Sequence, residues 1–175
     1  LGVVDLEKQT VSHFPETQFN DASPFVDPDT AHVYWCMGPA IWRRGPGPDD
    51  AVEQVNALPA DLLGGRHLRK LATHLTRSAD GKEFFVDSGF GLQWVFGSLP
   101  VDGSDYQMWQ RFDRIHNHAQ FNPVNPDLVL FAEEFHTDPG MLLGGDRQAD
   151  RVHLSEYLTV IGQRLTTMRS GDLGR

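Results

Sequence analysis

Short apolar runs separated by turn-forming residues recur along the chain, and three of them align on one template. The first is Phe25-Val26-Asp27-Pro28-Asp29-Thr30-Ala31-His32-Val33-Tyr34-Trp35, and the second is Thr76-Arg77-Ser78-Ala79-Asp80-Gly81-Lys82-Glu83-Phe84-Phe85-Val86. The third is Phe121-Asn122-Pro123-Val124-Asn125-Pro126-Asp127-Leu128-Val129-Leu130-Phe131. In each, a polar turn of Asp, Asn, Gly or Pro leads into β-branched and aromatic residues, the local chemistry of a strand-turn-strand hairpin. The starts at 25, 76 and 121 are 51 and 45 residues apart, near the four-stranded blade period of a β-propeller. The pattern predicts an all-β chain forming a partial β-propeller of three to four blades, with blade-like units near 1–57, 68–112 and 116–175.

The intervening segments fit the same scheme. Ala40-Ile41-Trp42-Arg43-Arg44 predicts a third strand before the breaker loop Gly45-Pro46-Gly47-Pro48-Asp49-Asp50. Gly91 to Gly97 predicts a strand, Val101 to Asp105 a tight turn, and the alternation of Gln107 to Phe112 an outer strand. Leu58 to Leu75 reads either as a helical turn or as an inserted loop. Thr137 to Arg151 reads as a long loop, and Arg164 to Arg169 as a strand. Arg151 to Gly162 fits an amphipathic helix as well as a strand, which keeps an α+β domain open as a competing fold. Three to four blades leave a ring open and strand edges unpaired. The amino end, Leu1-Gly2-Val3-Val4-Asp5-Leu6, lacks an initiator Met and a signal-peptide pattern. The expectation is therefore a piece of something longer.

Composition narrows the function classes. The 175 residues are 39% hydrophobic and 22% charged, ordinary for a chain that buries one core. A net charge of -9 argues against a nucleic-acid partner, whose surface needs clustered Lys and Arg. An acidic small substrate stays admissible, because local groups hold an anion. The single cysteine, Cys36, excludes an intrachain disulfide and points to a reducing, cytoplasmic setting. No apolar run approaches the ~20 residues of a membrane span.

The richest stretch for chemistry runs from Phe112 to Phe131, FDRIHNHAQFNPVNPDLVLF. His116 and His118 are one residue apart, which in an extended strand puts both on one face. His74 and His118 lie near the starts of successive units, as expected for residues meeting in a central channel. Their offsets from the hairpin template differ by one residue, and a one-residue slip turns a side chain to the other face.

His118-Ala119-Gln120-Phe121-Asn122-Pro123, with Asn125-Pro126-Asp127-Leu128-Val129-Leu130-Phe131 after it, resembles the central blade of the oligogalacturonate lyases. The resemblance implies a seven-bladed propeller that cleaves short pectin-derived galacturonate oligomers, an acidic oligosaccharide substrate, by β-elimination. It also implies a histidine base, an arginine and a divalent ion of the manganese type, Mn2+. By position His118 falls on the base. Where the family carries Cys-His-Glu-Gly this chain has Ala132-Glu133-Glu134-Phe135, so Glu134 alone keeps its place. The family's arginine finds no match in Gly97-Ser98-Leu99-Pro100, and its metal cluster falls mostly beyond Arg175. A second alignment sets His116-Asn117-His118 on the family's metal-binding His-x-His, with Asp113 in place of a Gln and His74 as an earlier ligand. In it, His74 and His116 become metal ligands. The first alignment is preferred for its Asn-Pro-Asp turn and following strand.

The chemistry explains why such residues are wanted. Eliminating a 4-O-linked uronate removes the weakly acidic proton beside the carboxylate, and the charge that develops needs a cation. Imidazole titrates near neutral pH and suits the base; a divalent ion suits the Lewis acid. The plainer readings are that the histidines are a strand pair and that Trp35, Trp42, Trp94 and Trp109 pack sheets rather than stack on sugars. The alternative function is a non-catalytic propeller module that binds a carbohydrate or protein at its blade tips. No Ser or Cys nucleophile signature is present.

Overall fold

The computed structural model describes residues 2–14, 22–91, 93–112 and 115–134, and the backbone of 157–162. The early elements are β1 (Gly2–Asp5), β2 (Thr10–His13), β3 (Phe25–Val26), β4 (Val33–Met37), β5 (Ala40–Arg44) and β6 (Glu53–Ala57). One helical turn, α1 (Ala60–Leu63), precedes β7 (Leu68–Lys70), β8 (Thr76–Arg77), β9 (Glu83–Phe90), β10 (Gln93–Pro100) and β11 (Gln107–Phe112). The last strands are β12 (Ile115–Phe121), β13 (Leu128–Glu134) and β14 (Tyr157–Gly162). Among the described residues the chain is all-β, and α1 does not make it α+β.

After the β1–β2 hairpin come three larger sheets, each laid down as an antiparallel meander in chain order. The first is β3-β4-β5-β6 and the third β12-β13-β14. In the second, β9 pairs β10 on one side, β10 pairs β11, and the other edge of β9 is shared by β7 and β8. The three template segments are the hairpins β3–β4, β8–β9 and β12–β13. The described residues do not close a ring of sheets.

One polar residue organises each hairpin. Asp27 accepts the Asp29 N–H through Oδ1 at 3.0 Å. Ser78 Oγ accepts the Lys82 and Glu83 N–H groups at 3.1 and 3.2 Å, and Asn122 Oδ1 accepts those of Val124 and Asn125 at 2.9 and 2.8 Å. Such side chains mimic a backbone turn. Each also donates its own N–H to the opening of the next strand, to His32, Glu83 and Leu128 respectively. Asp27, Ser78 and Asn122 are therefore equivalent positions. Counted from them, the third template sits one residue out of register: Phe121 stands one residue before its turn residue, and Phe25 and Thr76 stand two before theirs.

The sheets stack face to face through two cores. Tyr34, Cys36 and Ile41 of the first sheet pack with Phe84, Val86 and Leu99 of the second and with Leu71 and Leu75. Phe85, Phe96 and Trp109 of the second sheet pack with Ala119, Phe121, Val129 and Phe131 of the third. Strand β9 alternates between the two, Phe84 and Val86 toward one and Phe85 toward the other, and is buried along its whole length. A strand covered on both faces needs a nearly continuous apolar run, which Glu83 to Phe90 supplies with polar exceptions. Removing each large side chain from water contributes about 1.5–3 kcal/mol. Arg77 adds a bidentate pair to Asp27 at 2.8 and 3.1 Å across the first two sheets.

The ambiguous stretches resolve as follows. Leu58 to Leu75 holds both α1 and β7; Pro59 opens the turn, and Gly64, at φ 53°, closes it. Within Arg151 to Gly162, residues 157–162 form β14 against β13. The loop read at Thr137 to Arg151 and the strand read at Arg164 to Arg169 lie outside the described residues. No helix among the described residues is long and apolar enough to cross a membrane.

Candidate functional site

The inner edges of the second and third sheets are both interrupted. Residues 71–75 leave the ladder between β7 and β8, so that Lys70 pairs with Gly89 and Thr76 with Phe85. In β12 the register jumps between Asn117, opposite Ala132, and Gln120, opposite Leu130, and His118 takes a left-handed φ of 51°. That is a β-bulge, a device that re-aims a side chain.

The two interruptions bring His74 and His118 together. His74 Nε2 lies 3.0 Å from His118 Nδ1, and the rings are 5.1 Å apart at 37°. His74 Nδ1 lies 3.1 Å from Ser23 Oγ. Ser23 comes from the approach to β3, where its N–H donates to Thr73 O at 3.0 Å and its carbonyl accepts the Leu75 N–H at 3.1 Å. Ser23 and His74 thus form a parallel bridge between the first two sheets. Each of Ser23, His74 and His118 stands four residues before its turn residue, Asp27, Ser78 or Asn122. The one-residue discrepancy in the template disappears, and the three side chains form one polar row.

The row couples the tautomers of its two imidazoles. Burial, followed by the charges of His118 and Lys70, lowers the pKa of His74, so His74 is neutral at pH 7. A neutral imidazole has one donor and one acceptor nitrogen. If His74 Nε2 accepts from His118 Nδ1–H, then His74 Nδ1–H donates to Ser23 Oγ, and His118 carries its lone pair on Nε2. The opposite polarity starts with the Ser23 hydroxyl donating and ends with His118 Nε2 protonated. In the first polarity the free His118 nitrogen is an acceptor, and in the second it is a donor.

His116 does not join this row. Its ring stacks on Phe112 at 3.8 Å and 18°, with Phe96 and Phe131 around it, and it is 8% exposed. His116 and His118, expected on one face, meet different neighbours, and the bulge between Asn117 and Gln120 interrupts the strand's regular alternation there. The metal reading of His74 and His116 fits poorly, since both ring nitrogens of His74 are in hydrogen bonds and His116 lies among aromatic rings. Among the described residues no three His, Cys, Asp or Glu side chains draw together. Asp113 and the side chain of Glu134 lie outside the described residues. Trp35 and Trp109 are core residues, each 1% exposed, not sugar platforms.

Sequence reasoning missed Ser23, Asp87 and a basic cleft. Asp87 is 1% exposed; burial pushes its carboxyl up to about 6 against the hydrogen bonds it accepts from Thr73 and Ala119. A charged residue inside the apolar run of β9 is the signal that marks it. The cleft, of about 420 Å³, lies between the first two sheets, lined by His67, Arg69, Lys70, Ala22 and Ala72. Arg69 and Lys70 also lie over the Trp94 ring at 4.9 and 5.8 Å. Ala22 and Ala72 place one end of the cleft beside the segments that carry Ser23 and His74.

Fold and site together define an all-β protein of stacked meanders with a histidine pair where the edges of two sheets meet. Compared with known proteins, the chain matches no family model, no curated protein and no solved structure.

Proposed function

We propose that this chain belongs to a propeller-type lyase that cleaves short galacturonate oligomers by β-elimination, with His118 as the base. The observation that carries the reading is the His74–His118 hydrogen bond of 3.0 Å. It orients an imidazole inside the segment His118-Ala119-Gln120-Phe121-Asn122-Pro123, which resembles the lyase blade. The propeller is supported by three successive meanders stacked face to face with interacting inner edges. In a propeller, such edges would lie where the blades converge on an axis.

In the proposed reaction His118 Nε2 takes the proton beside the uronate carboxylate. A carbon–carbon double bond forms from that C–H pair, the bond to the leaving sugar oxygen breaks, and that oxygen takes up a proton. His74 accepts from His118 Nδ1–H and keeps the base in one tautomer, while Lys70 and Arg69 in the neighbouring cleft favour an acidic chain over a neutral one. A divalent ion, as the resemblance implies, would stabilise charge on the carboxylate; the described residues offer no donor set for it, and the steps above rest on the chain's own groups.

The test is incubation of the chain with di- or trigalacturonate, with and without added Mn2+, following the absorbance of the unsaturated uronate product. The expected result is a steady rise that His118→Ala reduces by about 10²-fold or more, the scale of a positioned general base. No rise under either condition ends the lyase reading and leaves a carbohydrate- or protein-binding module.

A further inference from the structure

Between the two interrupted strands stands a carboxylate that the proposed chemistry does not use. Asp87 lies in β9 on the same face as Phe85, toward the third sheet. Its Oδ1 accepts the Thr73 N–H at 2.5 Å and its Oδ2 the Ala119 N–H at 3.3 Å. Both donors are main-chain groups that lost their ladder partners, Thr73 in the excursion 71–75 and Ala119 in the bulge between Asn117 and Gln120. Thr73 immediately precedes His74, and Ala119 immediately follows His118. A single buried side chain with two acceptor oxygens therefore spans the backbones that present the two imidazoles. A hydroxyl or amide in its place has one side-chain oxygen for two N–H groups that face it from different strands.

The neighbours support this assignment. Ser88, next in β9 and facing the other way, donates its Oγ to Leu71 O at 2.9 Å, so the excursion is held from both faces of the strand. Phe121 N–H donates to Thr76 Oγ1 at 3.0 Å, which ties the same two inner strands beyond the bulge. Asp87 is the link closest in sequence to both histidines.

We propose that Asp87 is the positioning residue of the His74–His118 pair, fixing the separation of the two imidazoles, and with it the coupling of their tautomers, by clamping Thr73 and Ala119. The catalytic consequence rests on the lyase reading, but the geometric one does not.

The test uses the full chain with ¹⁵N-labelled histidine, recording ring ¹H–¹⁵N spectra without substrate. In the native chain His74 and His118 carry matching tautomers, both Nδ1–H or both Nε2–H, and the Thr73 and Ala119 amides exchange slowly with solvent. Asp87→Asn, which keeps the shape but has one acceptor, moves both rings to mixed tautomers in a chain that remains folded by circular dichroism. Elimination then falls by about 10²-fold, the cost of displacing a reacting group by about 1 Å. Val86→Ala, on the opposite face of β9, lowers the melting temperature and leaves both rings native. Native ring signals in Asp87→Asn, or the same ring changes in Val86→Ala, overturn the proposal. Should Asp87→Asn not fold, the native chain still decides, because fast exchange at Thr73 and Ala119 overturns the clamp. An inactive native chain whose rings respond to Asp87→Asn overturns the lyase reading alone.

Discussion

Replacing His118 by Gly and, separately, by Ala tests the bulge apart from the chemistry. Both variants lose the imidazole and its bond to His74, so their difference reports the backbone alone. At φ 51° a Cβ costs about 1–2 kcal/mol, which Gly avoids. Gly gives back about 0.4–1 kcal/mol through the greater freedom of its unfolded chain. The balance favours His118→Gly over His118→Ala by about 0.5–1 kcal/mol. Had residue 118 been an ordinary strand position, Gly would be the worse residue by about 0.5–1 kcal/mol, so the two geometries differ in sign. Urea denaturation reads this directly: with a slope of about 2 kcal/mol/M, the Gly midpoint lies about 0.3–0.5 M above the Ala midpoint at equal slopes. An Ala variant as stable as the Gly variant, or more so, refutes the left-handed bulge, and with it the reason His118 meets His74.

The remaining predictions concern the frame around the row. Phe85, 1% exposed, meets Phe96, Trp109 and Phe121 edge to face at 5.1, 5.0 and 5.7 Å; Phe85→Ala costs about 3–5 kcal/mol, and a loss below about 1.5 kcal/mol in urea denaturation contradicts the stacked-sheet core. Arg77 holds the Asp27 carboxyl down at about 2 from 3.8, so the stability the pair adds is complete above about pH 4 and disappears as the pH falls towards 2. The melting-temperature gap between the native chain and Asp27→Asn therefore narrows over that window; a gap independent of pH rules the pair out as its source. Burial pushes the Cys36 thiol up to about 12, so a thiol reagent at pH 8 labels it only after urea unfolds the chain. On the proposed lyase reading, Lys70→Glu raises KM for trigalacturonate about tenfold, roughly 1.4 kcal/mol, with the product absorbance as readout; an unchanged KM removes the cleft from substrate binding.

Much of the architecture is legible because its signals are local. Asp27, Ser78 and Asn122 form their turns with neighbours in sequence, and the aromatic and β-branched residues after them extend into β4, β9 and β13. The site is less legible because it is made by tertiary contact. His74 and His118 are 44 residues apart in the chain, and strand periodicity does not carry across the bulge between Asn117 and Gln120. The shared position of Ser23, His74 and His118 becomes legible only when the units are aligned on Asp27, Ser78 and Asn122. Asp87 stood in plain view as a charge inside β9, but its two backbone partners come from strands that no sequence period connects to it.

The shared position of Ser23, His74 and His118 has a consequence for how such a protein can change. Because the turn chemistry places the fourth residue before it at the same spot in every unit, the scaffold offers interchangeable sockets whose occupants can vary while the strands stay put. A serine in one socket and imidazoles in the next two join into a row of hydrogen bonds; a different trio would change that row through point changes alone, without rebuilding any sheet.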